Sequence, residues 1–176
     1  YSEEWIEEAK RRGLSNDTSS NIALRKMLDP EVLGLAEEIG MYSKIELAAR
    51  YNAYAERYIT QLSIEAKTLM VNKLILPAGI KYADLLATHI EKNAKYGEEF
   101  VKEQEELLKD VLSNISEIRK ETKSLAEKVE LVKNEEDVTK QTDLAREELN
   151  TGLEKLRVPC DNLEKVVDSS IWPLPT

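Results

Sequence analysis

Clusters of carboxylates are the most numerous candidates for chemistry in this chain of 176 residues. Paired carboxylates can act as general acid and base, or they can bind hard metal ions. Such a site needs side chains that converge in a cleft, whereas these clusters alternate with Lys and Arg on faces that we expect to be exposed. We therefore interpret them as solvated surface. The clusters are Glu3/Glu4/Glu7/Glu8, Glu103/Glu105/Glu106 and Glu135/Glu136/Asp137.

The single histidine and the single cysteine, His89 and Cys160, are the next candidates. His89 could exchange protons near neutral pH. No Cys, Ser or second His is spaced to complete a site with it, so a surface or interface role is preferred. Cys160 follows Pro159 at an expected helix end, where we predict a small packed thiol. A lone cysteine excludes an intrachain disulfide and favours a reducing, cytoplasmic compartment.

A ladder of arginines and tyrosines is the third candidate, because helical spacing gathers these side chains on adjoining faces of one helix. Guanidinium and aromatic groups in this arrangement could stack on nucleic-acid bases. The same pattern arises where long side chains cover a neighbouring helix and keep their polar tips in water. Glu46 and Glu56 neutralise the positive charge, so packing is favoured. The ladder comprises Arg50, Tyr51, Tyr54, Arg57 and Tyr58.

Charge and hydropathy argue against several classes of function. The net charge is −9, and residues 97–176 carry 12 basic against 20 acidic side chains. This surplus repels nucleic acid and anionic membranes, so we expect neither as a partner. The longest apolar run, residues 74–80, is much shorter than the roughly 20 residues that span a bilayer. The acidic start lacks a signal peptide and an initiator Met, so we expect an excised part of a longer protein.

Motifs that would supply a complete active site are missing from the sequence. Gly-rich phosphate loops, nucleophile elbows and zinc-binding Cys/His spacings do not occur. We therefore predict no catalytic, cofactor-binding or metal-binding residue in this chain.

The apolar spacing, with only six Gly and five Pro, predicts an all-α fold. Short helices are expected at 3–12, at 22–28 and from Pro30 to Gly40. A capping box, Ser43 to Glu46, should begin a long helix over 44–96 that is kinked at Pro77. The predicted buried seam of that helix is Ile45, Ala48, Asn52, Ala55, Ile59, Leu62, Ala66 and Leu69.

The apolar spacing over residues 98–157 predicts an antiparallel, coiled-coil-like helical hairpin with a turn at 133–136. Pro159 should end its second helix, and a short helix should follow from Asp161. We therefore expect an elongated helical bundle as a single domain over 1–176: a body over 1–97, the projecting hairpin over 98–157, and a docked tail over 158–176. The alternating spacing runs through Val101, Gln104, Leu108, Val111, Ile115, Ile118, Thr122, Leu125, Val129 and Val132, and returns through Val138, Thr142, Ala145, Leu149, Gly152 and Leu156.

Four ordered groups of residues resemble the C-terminal region of the glutamine synthetase type III family. Glu65 to Pro77 is about two residues shorter than the family pattern, through either a deletion or a gap in the sequence; a deletion would rotate the helix face by about 200°. The hairpin itself is not covered by the resemblance. The groups are Tyr1-Ser2-Glu3-Glu4-Trp5 through Arg12-Gly13-Leu14, Glu46-Leu47 through Tyr58-Ile59, Glu65-Ala66-Lys67-Thr68 through Ile75-Leu76-Pro77-Ala78 to Lys81-Tyr82, and Val166-Val167-Asp168 through Trp172-Pro173-Leu174-Pro175.

The resemblance implies a parent enzyme that joins ammonia to glutamate with ATP and Mg²⁺ in a ring-shaped homo-oligomer. The metal and nucleotide sites of the family lie in the preceding catalytic domain, and no residue here matches them. We therefore expect a domain that is inactive alone, takes part in oligomer contacts or regulation, and has the catalytic domain and sister subunits as partners. The alternative is a stand-alone helical coiled-coil interaction module.

Overall fold

The computed structural model describes residues 2–175, which form helices and turns without any strand in that range. The predicted all-α fold is therefore confirmed. Two π-helical segments, Val71–Ile75 and Ala145–Asn150, precede α5 and α8 respectively. The helices are α1 (Glu3–Arg11), α2 (Ser20–Arg25), α3 (Pro30–Glu38), α4 (Lys44–Ala66), α5 (Leu76–Asn93), α6 (Lys102–Lys133), α7 (Val138–Leu144) and α8 (Thr151–Val166).

The chain divides into two compact units. The first unit contains the residues up to Gln61 together with Glu135–Asp143, and the second contains Leu62–Asn134 together with the residues from Leu144 onward. Within the second unit α6 packs against both α5 and α8. Helices on the two sides of the predicted boundary at residue 97 therefore lie in the same unit.

Two helix starts in the first unit follow directly from local sequence. The Asp29 carboxylate accepts from the backbone N–H of Glu31 at 3.1 Å, and Pro30 occupies the first helical position of α3. At the start of α4, the Ser43 N–H donates to Glu46 Oε2 at 2.8 Å. The Glu46 N–H donates to Ser43 Oγ at 3.3 Å, which completes the predicted capping box.

The predicted seam of the long helix is correct only from Ala55 to Ala66, because its last member, Leu69, lies beyond α4 and is exposed. Ile45, its first member, is 83% exposed, whereas Leu47 and Tyr51 are buried. Burying these two large side chains removes more apolar surface from water than burying Ile45, and it leaves the Asn52 amide solvated. Over its first two turns, α4 therefore buries a different face from the one that the spacing predicted.

The long helix is interrupted, but Pro77 does not cause the interruption. The chain leaves helical geometry at Thr68, whose φ is +52°, an uncommon value for a β-branched residue. Thr68 is buried, and its Oγ1 accepts from Asn72 Nδ2 at 3.0 Å. Pro77 lies at the start of α5, directly after the Val71–Ile75 segment. Because a π turn is wider than an α turn, it accommodates the proline ring without a further break.

The core of the second unit is the seam between α6 and the helix that returns along it. The Lys128 ammonium lies 3.1 Å from Glu148, and the Asn162 amide donates to Asn114 Oδ1 at 3.3 Å, so the two helices run antiparallel. Most positions that the 4–3 spacing predicts for this pair are buried, whereas Gln104, Leu108 and Thr122 are only half-buried. Projection of the pair as a hairpin stays a prediction. The buried members are Val111, Ile115, Ile118, Leu125, Val129, Val132, Ala145, Leu149, Gly152 and Leu156.

The prediction that Pro159 ends the second helix is wrong, because α8 continues through it to Val166. A proline inside a helix costs about 3 kcal/mol. Pro159 lies in a buried stripe with Leu156, Cys160 and Leu163, and burying each large apolar side chain contributes roughly 1.5–3 kcal/mol. Packing therefore outweighs the local cost. The separate helix predicted from Asp161 is wrong for the same reason.

The tail after α8 places a tryptophan against the second unit. Trp172 is 7% exposed, and its indole N–H donates to Glu164 Oε1 at 3.2 Å. A buried indole needs such a hydrogen-bond acceptor, and Glu164 supplies it from the last turns of α8. Residues 158–166, which we expected to belong to the tail, are part of that helix.

Gly152 should be required by the close approach of α6. A Cβ at this position would lie 2.6 Å from Leu125 Cδ2 and 3.3 Å from its Cγ. Gly152→Ala gains about 1 kcal/mol in helix propensity but costs about 1–3 kcal/mol through overpacking against Leu125. We therefore expect the substitution to lower the free energy of unfolding, measured by urea titration. Gly34→Ala is the matched control: its Cβ meets nothing within 4 Å, and the change should stabilise by about 0.5–1 kcal/mol. Equal effects at the two sites would refute the close packing.

Candidate functional site

In the first carboxylate cluster, Glu8 pairs with Arg11 on its own helix and with Arg12 directly after that helix. Glu8 accepts from Arg11 Nε at 2.7 Å and from Arg12 Nε at 2.6 Å. These hydrogen bonds, with the one from Arg11 the larger cause, lower the pKa of the Glu8 carboxyl below its ordinary value. The cluster is exposed on α1, so its charges face water.

The third cluster supplies the cap of α7. Asp137 Oδ1 accepts from the backbone N–H groups of Thr139 at 2.9 Å and Lys140 at 3.0 Å. The Lys140 N–H is the main cause that lowers the pKa of Asp137. Glu135 in turn accepts from the Asp137 N–H at 2.9 Å. These carboxylates therefore satisfy backbone donors at a helix start.

A divalent metal ion needs several convergent oxygen or nitrogen donors. Within residues 2–175, no group of three or more His, Cys, Asp or Glu side chains is arranged to hold one. The side chains of residues 2–175 therefore do not fit the Mg²⁺ that the family resemblance implies for the parent.

The histidine and the cysteine lie apart on α5 and α8. His89 is exposed, and Asn93 donates to its backbone carbonyl at 2.8 Å, with the same amide nitrogen 3.4 Å from His89 Nδ1. Cys160 is buried, and burial, assisted by the negative charge of Asp161, raises the pKa of its thiol to about 11. A thiol that stays protonated at neutral pH is a poor nucleophile and metal ligand.

The arginine and tyrosine ladder does not present one stacking surface. Tyr51 is 2% exposed, and its hydroxyl lies 3.2 Å from Thr139 Oγ1. The Arg50 guanidinium lies over the ring of Tyr42, 4.4 Å from its centroid. Tyr54 is exposed. The buried tyrosine and the intramolecular cation–π contact favour the packing interpretation over base stacking.

A polar cluster that sequence reasoning missed joins α2 to α7 within the first unit. Asn21 is 2% exposed, and its Nδ2 donates to Asp143 Oδ1 at 2.9 Å. Arg25 donates to the same oxygen at 2.5 Å, and the Ser19 hydroxyl donates to Asn21 Oδ1. The partners are 122 residues apart in sequence. No local signal distinguishes Asn21 from its neighbours in a turn-rich stretch.

An apolar depression lies between α1 and the segment that follows it. Its lining includes Trp5, Ile6, Ala9 and Leu14. Ala9 is buried, whereas the two larger side chains, Trp5 and Ile6, are 44% and 43% exposed. Apolar walls without a charged group suit a hydrophobic contact rather than a polar substrate.

Residues 2–175 thus form an all-α chain of two compact units, in which several of the candidate polar side chains cap helices or join segments of one unit. None of the helices described combines the length and apolar character needed to cross a membrane. The sequence model of one protein family, "Glutamine synthetase C-terminal domain", matches residues 1–95, which is more than half of the chain. The chain belongs to this family.

Similar proteins support the same assignment along the whole sequence. A glutamine synthetase of Bacteroides fragilis (strain YCH46) is 28% identical over 185 residues, covering 99% of this chain and 25% of the relative. The type-3 glutamine synthetase of Dictyostelium discoideum is 27% identical over 186 residues, with the same two coverages. A Butyrivibrio fibrisolvens glutamine synthetase is 22% identical over 179 residues, covering 100% of this chain and 26% of the relative. The predicted resemblance is confirmed, and the chain spans about a quarter of the length of these relatives.

The buried amide of Asn21 should contribute to stability more than the exposed guanidinium of Arg25. Asn21→Ala removes hydrogen bonds in a buried position and should lower the free energy of unfolding by about 1–3 kcal/mol. Arg25→Ala breaks an ion pair whose side chains are 42% and 39% exposed, and it should cost about 1 kcal/mol or less. Urea titrations of both variants test the order, and a larger loss for Arg25→Ala would contradict it.

The single thiol allows a direct test of its burial. A pKa near 11, against an ordinary value of 9.0, leaves roughly 100-fold less thiolate at mildly alkaline pH. Alkylation of Cys160 by iodoacetamide should therefore be at least about tenfold slower in the folded chain than in urea. Mass spectrometry over time measures both rates, and a Cys160→Ser chain controls for other reactions. Equal rates would show that the thiol is accessible and unperturbed.

Proposed function

We propose that this chain is the non-catalytic C-terminal domain of a type III glutamine synthetase. The parent chain makes glutamine from glutamate and ammonia with ATP, and the residues that bind ATP and Mg²⁺ lie in the preceding part. The domain provides contacts with that catalytic part and with sister subunits of a homo-oligomer in the cytoplasm. Membership of the C-terminal domain family and the quarter-length match to glutamine synthetases support this proposal.

The observation that carries the proposal is the exposed apolar surface of the first unit. Among its described residues, ten large hydrophobic side chains are exposed, whereas six hydrophobic residues are buried and three of those are alanines. In the second unit the corresponding numbers are twelve and twenty. Single exposed apolar residues are normal, but a unit that exposes more of them than it buries is typical of an interaction surface. The ten are Trp5, Ile6, Leu14, Ile22, Val32, Leu35, Ile39, Met41, Ile45 and Tyr54.

A stand-alone coiled-coil module has less support. Such a module would offer an apolar seam to a partner helix. The seam of α6 is already filled within the second unit, where Ile118, Leu125 and Val132 are 0% exposed. Leu112 and Leu131 remain exposed on α6. A partner helix would have to bind through these two side chains or displace α8.

Glutamine formation tests the proposed division of labour. The parent chain, supplied with glutamate, ammonia, ATP and Mg²⁺, should form glutamine, and the 176-residue chain at the same concentration should form none above background. This expectation follows from the proposal, in which the residues that bind ATP and Mg²⁺ lie in the preceding part; within residues 2–175 no group of three or more His, Cys, Asp or Glu side chains is arranged to hold a metal ion. Chromatographic detection of glutamine measures both reactions.

Two outcomes would contradict the proposal in different ways. Glutamine produced by the 176-residue chain would show that it carries a catalytic site. A parent chain that forms no glutamine would show that the parent is not a glutamine synthetase.

A further inference from the structure

The short helix α3 carries apolar side chains on its outer face as well as on its inner one. Ala36 is buried and Leu33 is half-buried, so these two residues face the rest of the first unit. Val32 and Leu35 on α3, and Ile39, which directly follows its last residue, are 42%, 59% and 59% exposed. At about 100° per residue these three lie within roughly 60° of each other around the helix axis. They form a continuous outer stripe, which we call the α3 face.

The α3 face is too small to hold a free partner. A specific, stable interface between separate proteins buries about 800 Å² on each partner. Three partly exposed aliphatic side chains on a nine-residue helix supply only a fraction of that area. A partner joined to the domain by the polypeptide needs much less, because tethering raises its effective concentration to the millimolar range. The size of the face therefore favours an occupant on the same chain.

The longer relatives indicate where such an occupant would come from. This chain spans about a quarter of their length and matches a family defined as the C-terminal domain. In a parent of that kind, most of the polypeptide precedes the domain. The large preceding part is joined covalently to the domain, and its surface can cover an apolar face near the start of the domain.

Charges beside the α3 face specify the chemistry of the occupant. Glu31 and Glu38 are exposed and follow one edge of the stripe. Glu37 lies on the other side of the helix, where its carboxylate is 3.3 Å from the Lys44 ammonium. The edge that borders the stripe is therefore acidic. A complementary occupant has an apolar centre flanked by lysine or arginine.

We propose that the α3 face docks onto the preceding, catalytic part of its own polypeptide, at an apolar surface bordered by basic side chains. This inference rests on the proposed function, since it requires a parent chain with such a part. It goes further by assigning one helix face and one partner. Sister subunits then contact the domain elsewhere.

Site-specific photo-crosslinking in the full parent chain tests the assignment. Benzoylphenylalanine in place of Leu35 should crosslink to peptides that precede this domain. The matched control places the same residue at Gly34, on another side of α3, where a Cβ meets nothing within 4 Å. Denaturing electrophoresis separates crosslinks within one chain, which keep the monomer mass, from crosslinks between chains, which double it. Mass spectrometry then identifies the linked peptides.

Each outcome decides the proposal. An intrachain product from position 35, at least about tenfold more abundant than from position 34, supports it. A product of doubled mass would overturn it and assign the face to a sister subunit. Equal yields at the two positions, or products only with this domain, would show that the face is not docked on the preceding part. The readout does not depend on glutamine formation, so a failure here leaves the proposed function testable by itself.

Discussion

The second unit depends on how closely α6 and α8 approach each other. Leu125 is fully buried against Gly152, and a single Cβ at that glycine would overlap the leucine methyl group. The same seam holds Ile118 and Leu149 away from water. Once this contact fixes the separation of the two helices, α5 can pack beside them, where Gly79 lies against Ile115 of α6 and Leu163 of α8. Two glycines thus set the spacing of three helices.

The same seam explains which sequence predictions were accurate. The 4–3 spacing identified the buried positions of α6 because every third or fourth residue must meet the facing helix. Local signals failed where packing opposed them. Pro159 suggests a helix end, but its ring is buried in the stripe that α8 presents to the core, and the helix continues. Pro77 suggests a break, but the break occurs at Thr68, where a buried side chain and its hydrogen bond to Asn72 stabilise a positive φ.

Polar contacts between neighbouring residues are predictable from the sequence, whereas those between distant residues are not. Capping by Asp29, Ser43 and Glu46 involves neighbours within three residues, and the patterns predict it. The bond between Asn21 and Asp143 joins residues 122 positions apart, and it exists only because the fold brings α2 beside α7. Spacing along one helix likewise grouped Tyr51 with Tyr54, although the first is buried against Thr139 and the second is exposed.

The two units differ in how completely they satisfy their own apolar side chains. The second encloses a row of aliphatic residues between helices, as a self-sufficient core does. The first buries only three large hydrophobic side chains and exposes ten, among them Trp5 and Leu35. Exposed apolar area of this kind carries a free-energy cost in water, and contact with another apolar surface removes that cost. Under the proposed function, the preceding part of the polypeptide covers this surface, which is why the domain can retain it.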